Sequence, residues 1–238
     1  PSANLISYMT TYKGAYNCYL QAAHASVFGS ILMFGQFLKQ GSFFSPFALS
    51  TDNCGRIEHI FSLNIPGSFH GKFTSSLNMP NGNSQLVGFA QYDRVAICLV
   101  TELDRSGNHM HTHGYRWDVH VTVTSSTLSE NGNVLYVGFT GEGTNYNDVF
   151  AALISASGEQ LWAKSYSFLG ADQGLSVANC QAGYILVGKY SEGKNGFVAV
   201  MNNDGEMLKS HVVPNAELGH VECLSSGGFA AVGSIAHN

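Results

Sequence analysis

Three histidines within five residues make the sharpest chemical signal in this chain: His109-Met110-His111-Thr112-His113. On a β-strand alternate side chains share one face, so three imidazoles would line one side about 6–7 Å apart. Two of them suffice to chelate zinc or copper, and His120 or Asp118 would complete the shell. On an exposed outer strand the same imidazoles would instead form a pH-responsive or simply solvated surface. A second group lies in Gly141-Glu142-Gly143-Thr144-Asn145-Tyr146-Asn147-Asp148, which mixes an aromatic face with amides and carboxylates. Tyr92 with Asp93, and Tyr190, fall in the corresponding loops of neighbouring segments. Sugars are held by this combination, their ring faces on aromatics and their hydroxyls on amides and acids. The candidate ligand-binding residues are therefore Tyr92, Asp93, Glu142, Tyr146, Asn147, Asp148 and Tyr190, and the candidate metal ligands are His109, His111 and His113. No G-x-S-x-G, phosphate-binding loop or H-E-x-x-H motif occurs.

The elements that must position these residues follow a short apolar run ending in glycine. It reads ILMFG to Gly35, QLVG to Gly88, LYVG to Gly138, ILVG to Gly188 and AAVG to Gly233. A period of about 50 residues outranks local assignments and points to a repeated architecture. Each period divides into four strands. The first is Val119 to Thr127 or Leu175 to Asn179, and the second is the glycine-ended run. The third is Val149 to Ser155 or Phe197 to Asn202, and the fourth is Gln160 to Phe168 or Met207 to Val213. Turn glycines recur at Gly55, Gly107, Gly158 and Gly205 between the third and fourth strands. Four short antiparallel strands per period predict a blade of a β-propeller, and the marker glycine would permit close approach between neighbouring blades. Leu5 to Tyr12 precedes the first marker at the spacing of a fourth strand, so the N-terminus is expected to close the last blade. That blade lacks a third strand, because the chain ends five residues after Gly233. Trp117 and Trp162 both fall on fourth strands, where packing between blades is expected.

Two segments resemble the bacterial-type β-propeller repeat family. Gly183-Tyr184-Ile185-Leu186-Val187-Gly188 matches its glycine-marked strand. Ser155-Ala156-Ser157-Gly158-Glu159-Gln160-Leu161-Trp162-Ala163-Lys164 matches its Asp-x-x-Gly-x-x-x-Trp-x-Lys turn, with Ser155 in place of the Asp. The next segment keeps the turn in Asn202-Asn203-Asp204-Gly205 but has Lys209 in place of the Trp. The resemblance covers about half the chain and implies a fold used for many functions.

Composition narrows the classes further. Only 11% of the 238 residues are charged, while 27 are glycine and 26 are Tyr or Phe. This suits short strands and tight turns with a surface made polar by Ser, Thr, Asn and Gln. The net charge of −5 and the lack of a Lys/Arg run argue against nucleic acid. No segment carries 18 uninterrupted apolar residues, so no transmembrane helix is expected. Five cysteines without a C-x-x-C pair are expected to be mostly buried thiols, one or two disulfides being the alternative. The start at Pro1 reads as a processed or excised chain.

Glycoside hydrolysis needs two carboxylates at a controlled separation. The first strands hold only Glu222, while Asp93, Asp118, Glu142, Asp148, Asp172, Glu192 and Glu217 fall in loops. The expectation is an all-β, five-bladed propeller of four-stranded antiparallel blades, a single domain over 1–238, closed by its N-terminal strand. Its expected role is non-enzymatic binding or scaffolding in a secreted, periplasmic or cell-surface setting, with no cofactor. A protein partner or glycan would dock, and the unfinished blade would serve assembly. A carbohydrate-binding lectin is the alternative, and metal binding through His109, His111 and His113 a more distant one.

Overall fold

The computed structural model describes residues 18–25, 30–39, 43–52, 54–92, 95–141, 147–168, 170–181, 183–190 and 195–235. They form four four-stranded antiparallel sheets and one two-stranded sheet, in chain order. The first holds β1 (Cys18–Ala25), β2 (Ile31–Lys39), β3 (Phe43–Thr51) and β4 (Ile57–Ser62). The second holds β5 (His70–Asn78), β6 (Ser84–Gln91), β7 (Ala96–Leu103) and β8 (His109–Tyr115). The third holds β9 (Val121–Leu128), β10 (Val134–Thr140), β11 (Val149–Ile154) and β12 (Gln160–Tyr166). The fourth holds β13 (Asp172–Cys180), β14 (Gly183–Tyr190), β15 (Gly196–Met201) and β16 (Met207–Val213). β17 (Ala216–Cys223) and β18 (Phe229–Ile235) make the fifth. The strands expected in the third and fourth segments are found within three residues of their predicted ends. Every predicted third-to-fourth turn carries its glycine at positive φ, from 74° at Gly205 to 90° at Gly158, a conformation open to Gly at little cost.

Each sheet buries one face against the next. The first strand of a sheet packs on the first three strands of the one before it. Leu32, Phe34 and Ala48 meet Phe73, Leu86 and Leu103 between the first two sheets. Val87, Cys98 and Val100 meet Val121, Val123 and Tyr136 at the second joint. Leu135, Val149 and Leu153 meet Val177, Leu186 and Phe197 at the third. Ile185 and Val187 meet Val221 at the last.

The closed propeller is corrected here. No sheet is closed on itself, and among the described residues no strand of the first sheet packs substantially against β17 or β18. Among the described residues the succession is open: Val232 and Ile235 of the last sheet are 61% and 70% exposed. The expected closing strand, Leu5 to Tyr12, lies outside the described residues. With no ring among the described residues, the expectation of assembly through an unfinished blade loses its support and is corrected with it. Repeat spacing dictates local strand pairing, whereas closure depends on contacts between the chain's two ends, which spacing does not encode.

The role of the marker glycines is also different from the one expected. Their close approach is inside the sheet. Each faces a β-bulge in the adjacent first strand, where Gln21, Thr74, Thr124, Leu175 and Gly219 are skipped in the pairing. A Cβ at Gly35, Gly88, Gly138, Gly188 or Gly233 would overlap a carbonyl oxygen of that strand, that of Tyr19, Lys72, Thr122, Gln173 or Glu217 in turn.

The bulges aim side chains at the following sheet. The Thr74 hydroxyl lies 3.3 Å from Val87 O in its own sheet and 3.0 Å from Val123 O in the third. Thr124 does the same one sheet on, at 3.1 Å from Val137 O and 2.8 Å from Gly174 O. The serine after each of the three middle bulges accepts a backbone N–H from the next first strand: Ser126 to Ser75, Val177 to Ser125 and Val221 to Ser176. Replacing Thr124 by the isosteric Val removes a hydroxyl that reaches carbonyl oxygens of two consecutive sheets. The expected cost is about 1–2 kcal/mol, read as a lower urea midpoint at unchanged slope.

Candidate functional site

The three histidines do not share a face. A register break between Glu102 and Leu103 leaves Met110 unpaired in β8 and interrupts the alternation. The His109 ring stacks on Phe61 of the first sheet at 4.6 Å and 8°, with Nε2 3.0 Å from the Thr112 hydroxyl. His111 Nε2 meets Glu102 Oε2 at 3.3 Å, and the His111 and His113 rings touch edge to face at 4.8 Å. The metal reading is therefore corrected: among the described residues no group of three His, Cys, Asp or Glu side chains could hold a metal ion.

His111 and His113 instead line a cleft of about 130 Å³ between the second and third sheets, with Glu102, Tyr115, Ser155 and Gly158 around it. Its groups are already engaged. Glu102 accepts from Asn83 Nδ2 at 2.5 Å, and the Tyr115 hydroxyl donates to Gly158 O at 3.1 Å. The latter contact recurs at the next joint, where the Tyr166 hydroxyl donates to Gly205 O at 2.7 Å. Burial raises the Tyr166 phenol to about 12, so it keeps the proton that this bond needs. Trp117 Nε1 donates to Gln160, and Trp162 Nε1 to Asn203 O, so both tryptophans join consecutive sheets.

The loop residues are dispersed. Asp93, Glu142 and Tyr146 lie outside the described residues. Tyr92 is half-buried after β6, its N–H donating to Val95 O. Tyr190 is 6% exposed and its ring packs on Phe197 at 5.5 Å, inside the core. Asn147 is buried, and its carbonyl accepts the Asp172 N–H at 2.6 Å. Thr140 and Asp148 pair through their backbones at 2.9 Å. Asp172, read from sequence as a loop acid, is fully buried, and its Oδ2 accepts from Phe168 N at 2.6 Å. Among the described residues no aromatic platform stands beside free amides, and no structural basis for the lectin or propeller-scaffold reading is found there.

One constellation escaped the sequence reading. Ser176 Oγ stands 3.3 Å from His220 Nδ1, and His220 Nε2 stands 3.4 Å from Glu222 Oε1. A Ser–His–carboxylate relay is the arrangement that activates a hydroxyl nucleophile. Two features speak against that use here. Ser176 is 3% exposed, and its oxygen already accepts the Val221 N–H at 3.2 Å. It also occupies the position of Ser75 and Ser125, which join the earlier sheets in the same way. Glu222 was visible in the sequence as the lone first-strand acid. Counting from the bulge opposite each marker glycine would have added its two partners.

Two cysteine contexts complete the picture. Cys180 and Cys223 form a disulfide between β13 and β17, and so between the fourth and fifth sheets. Burial pushes the Cys98 thiol far above its ordinary range, which leaves it inert as a nucleophile. Among the described residues no helix is long and apolar enough to cross a membrane.

The fold and these joints define an all-β chain of consecutive antiparallel sheets. It is similar to a solved structure of a protein of unknown function from Bacteroides caccae, with a TM-score of 0.55 and 13% identity. The match covers 86% of this chain and 64% of that one. No protein-family model matches the chain, which removes the support for the propeller-repeat family, and no curated protein matches it. At this identity the likeness speaks for the fold alone.

Proposed function

We propose that this chain is a non-catalytic structural domain that works outside the reducing cytosol, in a secreted, periplasmic or cell-surface setting. The carrying observation is where its reactive groups are used. Ser176, Tyr115, Tyr166, Trp117 and Trp162 all make bonds between consecutive sheets. A hydroxyl nucleophile must be both deprotonated and reachable, and Ser176 is closed off by the strand it holds. The Cys180–Cys223 bridge supports the setting, because disulfides persist in oxidising compartments.

A fluorophosphonate probe tests the absence of serine hydrolase chemistry. Expected is no adduct at Ser176 in the folded chain, by peptide mass spectrometry; an adduct lost in His220→Ala would overturn the reading. The setting is tested by non-reducing digestion of chain exported to the periplasm. A linked Cys180–Cys223 peptide is expected, and two separate thiol peptides would refute it.

A further inference from the structure

Lys72 differs in its surroundings from Lys164 and Lys189. Lys164 donates to Asp204 O at 2.7 Å, and Lys189 pairs with Glu217 at 2.8 Å. Lys72 Nζ has no hydrogen-bond or ion-pair partner among the described residues. It lies half-buried on β5, directly across from Phe89 on β6, 5.8 Å from that ring's centre. His70 projects from the same face of β5 two residues earlier. Its ring stacks on the same Phe89 at 5.6 Å and 17° and leans on Phe44 at 5.2 Å. Its Nε2 is enclosed without a partner. Gly71 between them lets this stretch press on the first sheet, since a Cβ there would meet Pro46.

An amine held against aromatic rings with no carboxylate to pair with loses hydration without compensation. At 5.8 Å the ring face offsets only part of that loss for the ammonium. Desolvation wins: it lowers the Lys72 pKa, and burial followed by the Lys72 charge lowers that of His70. The neutral amine, with its lone pair available, is the nucleophilic form.

We propose that Lys72 is a covalent modification site that takes carbonyl electrophiles, aldehydes above all, as an imine on Nζ. The nitrogen lone pair attacks the carbonyl carbon, and the C=O π bond moves to oxygen. The two amine protons leave with that oxygen as water, and a C=N bond remains. No redox partner is needed. The neutral His70 imidazole beside it can carry protons between nitrogen and oxygen. The inference is independent of the structural role proposed above, because a modified lysine is compatible with either a catalytic or a non-catalytic chain.

The test incubates the folded chain with 4-carboxybenzaldehyde and traps imines with cyanoborohydride at low conversion. Adducts are then mapped by peptide mass spectrometry. Expected is modification at Lys72 several-fold faster than at the exposed Lys209, with the preference lost when the same reaction is run in urea. Lys72→Met should remove the preferred adduct while leaving the melting curve in place. Labelling of Lys72 no faster than of Lys209, or a preference that survives unfolding, would overturn the proposal. If Lys72→Met fails to fold, the wild-type comparison with and without urea decides alone.

Discussion

Gly138→Ala is expected to be among the most destabilising single methyl additions this chain can receive. The new Cβ would occupy the space of the Thr122 carbonyl oxygen and press on the Val123 Cα. Both are backbone atoms of the bulged neighbour β9, so no side-chain rotation relieves the overlap. Either the bulge must straighten, which shifts the pairing of β9 with β10 by one residue and turns its buried Val121 and Val123 outward, or the two strands must separate. The cost is about 3 kcal/mol, at the upper end of ordinary overpacking. A fall in Tm of roughly 6–12 °C follows for a chain of this size. Gly219→Ala is the control. It is a glycine at the bulge itself, in the first strand β17, and nothing lies within 4 Å of its added Cβ. Its Tm should stay within about 2 °C of the parent. Equal shifts in the two variants would refute the account of the marker glycines.

Loss of the Cys180–Cys223 bridge should detach the fifth sheet selectively. β17 and β18 form a lone hairpin, and such two-stranded units are marginal in water. Its apolar anchor on the fourth sheet is small: Val221 is buried there, with Leu218 and Ala231 at the margin. The bridge ties residues 43 apart in sequence, a constraint on the unfolded chain of about 4 kcal/mol in the loop-entropy treatment. In Cys223→Ser, amide exchange over residues 216–235 is expected to approach that of an unprotected chain. The second and third sheets, with Leu86, Val87, Leu135 and Tyr136 fully enclosed, should keep their protection. Uniform loss of protection across all five sheets would show instead that the hairpin is an integral part of one cooperative unit.

Much of the local architecture was legible without coordinates. The turn glycines announced their hairpins because a tight connection needs positive φ, and Gly205 and Gly158 supply it. The glycine-ended runs located the second strand of every sheet. The histidine run shows where such reading stops. His109, His111 and His113 alternate in the sequence, yet one skipped residue, Met110, turns His109 towards the first sheet and the other two towards the third. A bulge is a pairing event between two strands, so one strand's sequence does not reveal it. Asp172 makes the same point for burial: a loop acid by position, it is enclosed because the Phe168 N–H needs its carboxylate.

Sequence alone determined the all-β class, the strand order within each sheet and the positions where only glycine fits. These rest on φ preferences and on contacts between neighbours in the chain, which a 50-residue pattern records directly. Tertiary structure decided the rest: that the described sheets form an open succession, that Ser176 bonds across a joint to Val221, that Cys180 finds Cys223, and that Lys72 has no counter-ion among the described residues. Each of these depends on which distant groups meet once apolar faces are buried. That burial is non-directional and shared among many residues, so no spacing in the chain spells it out.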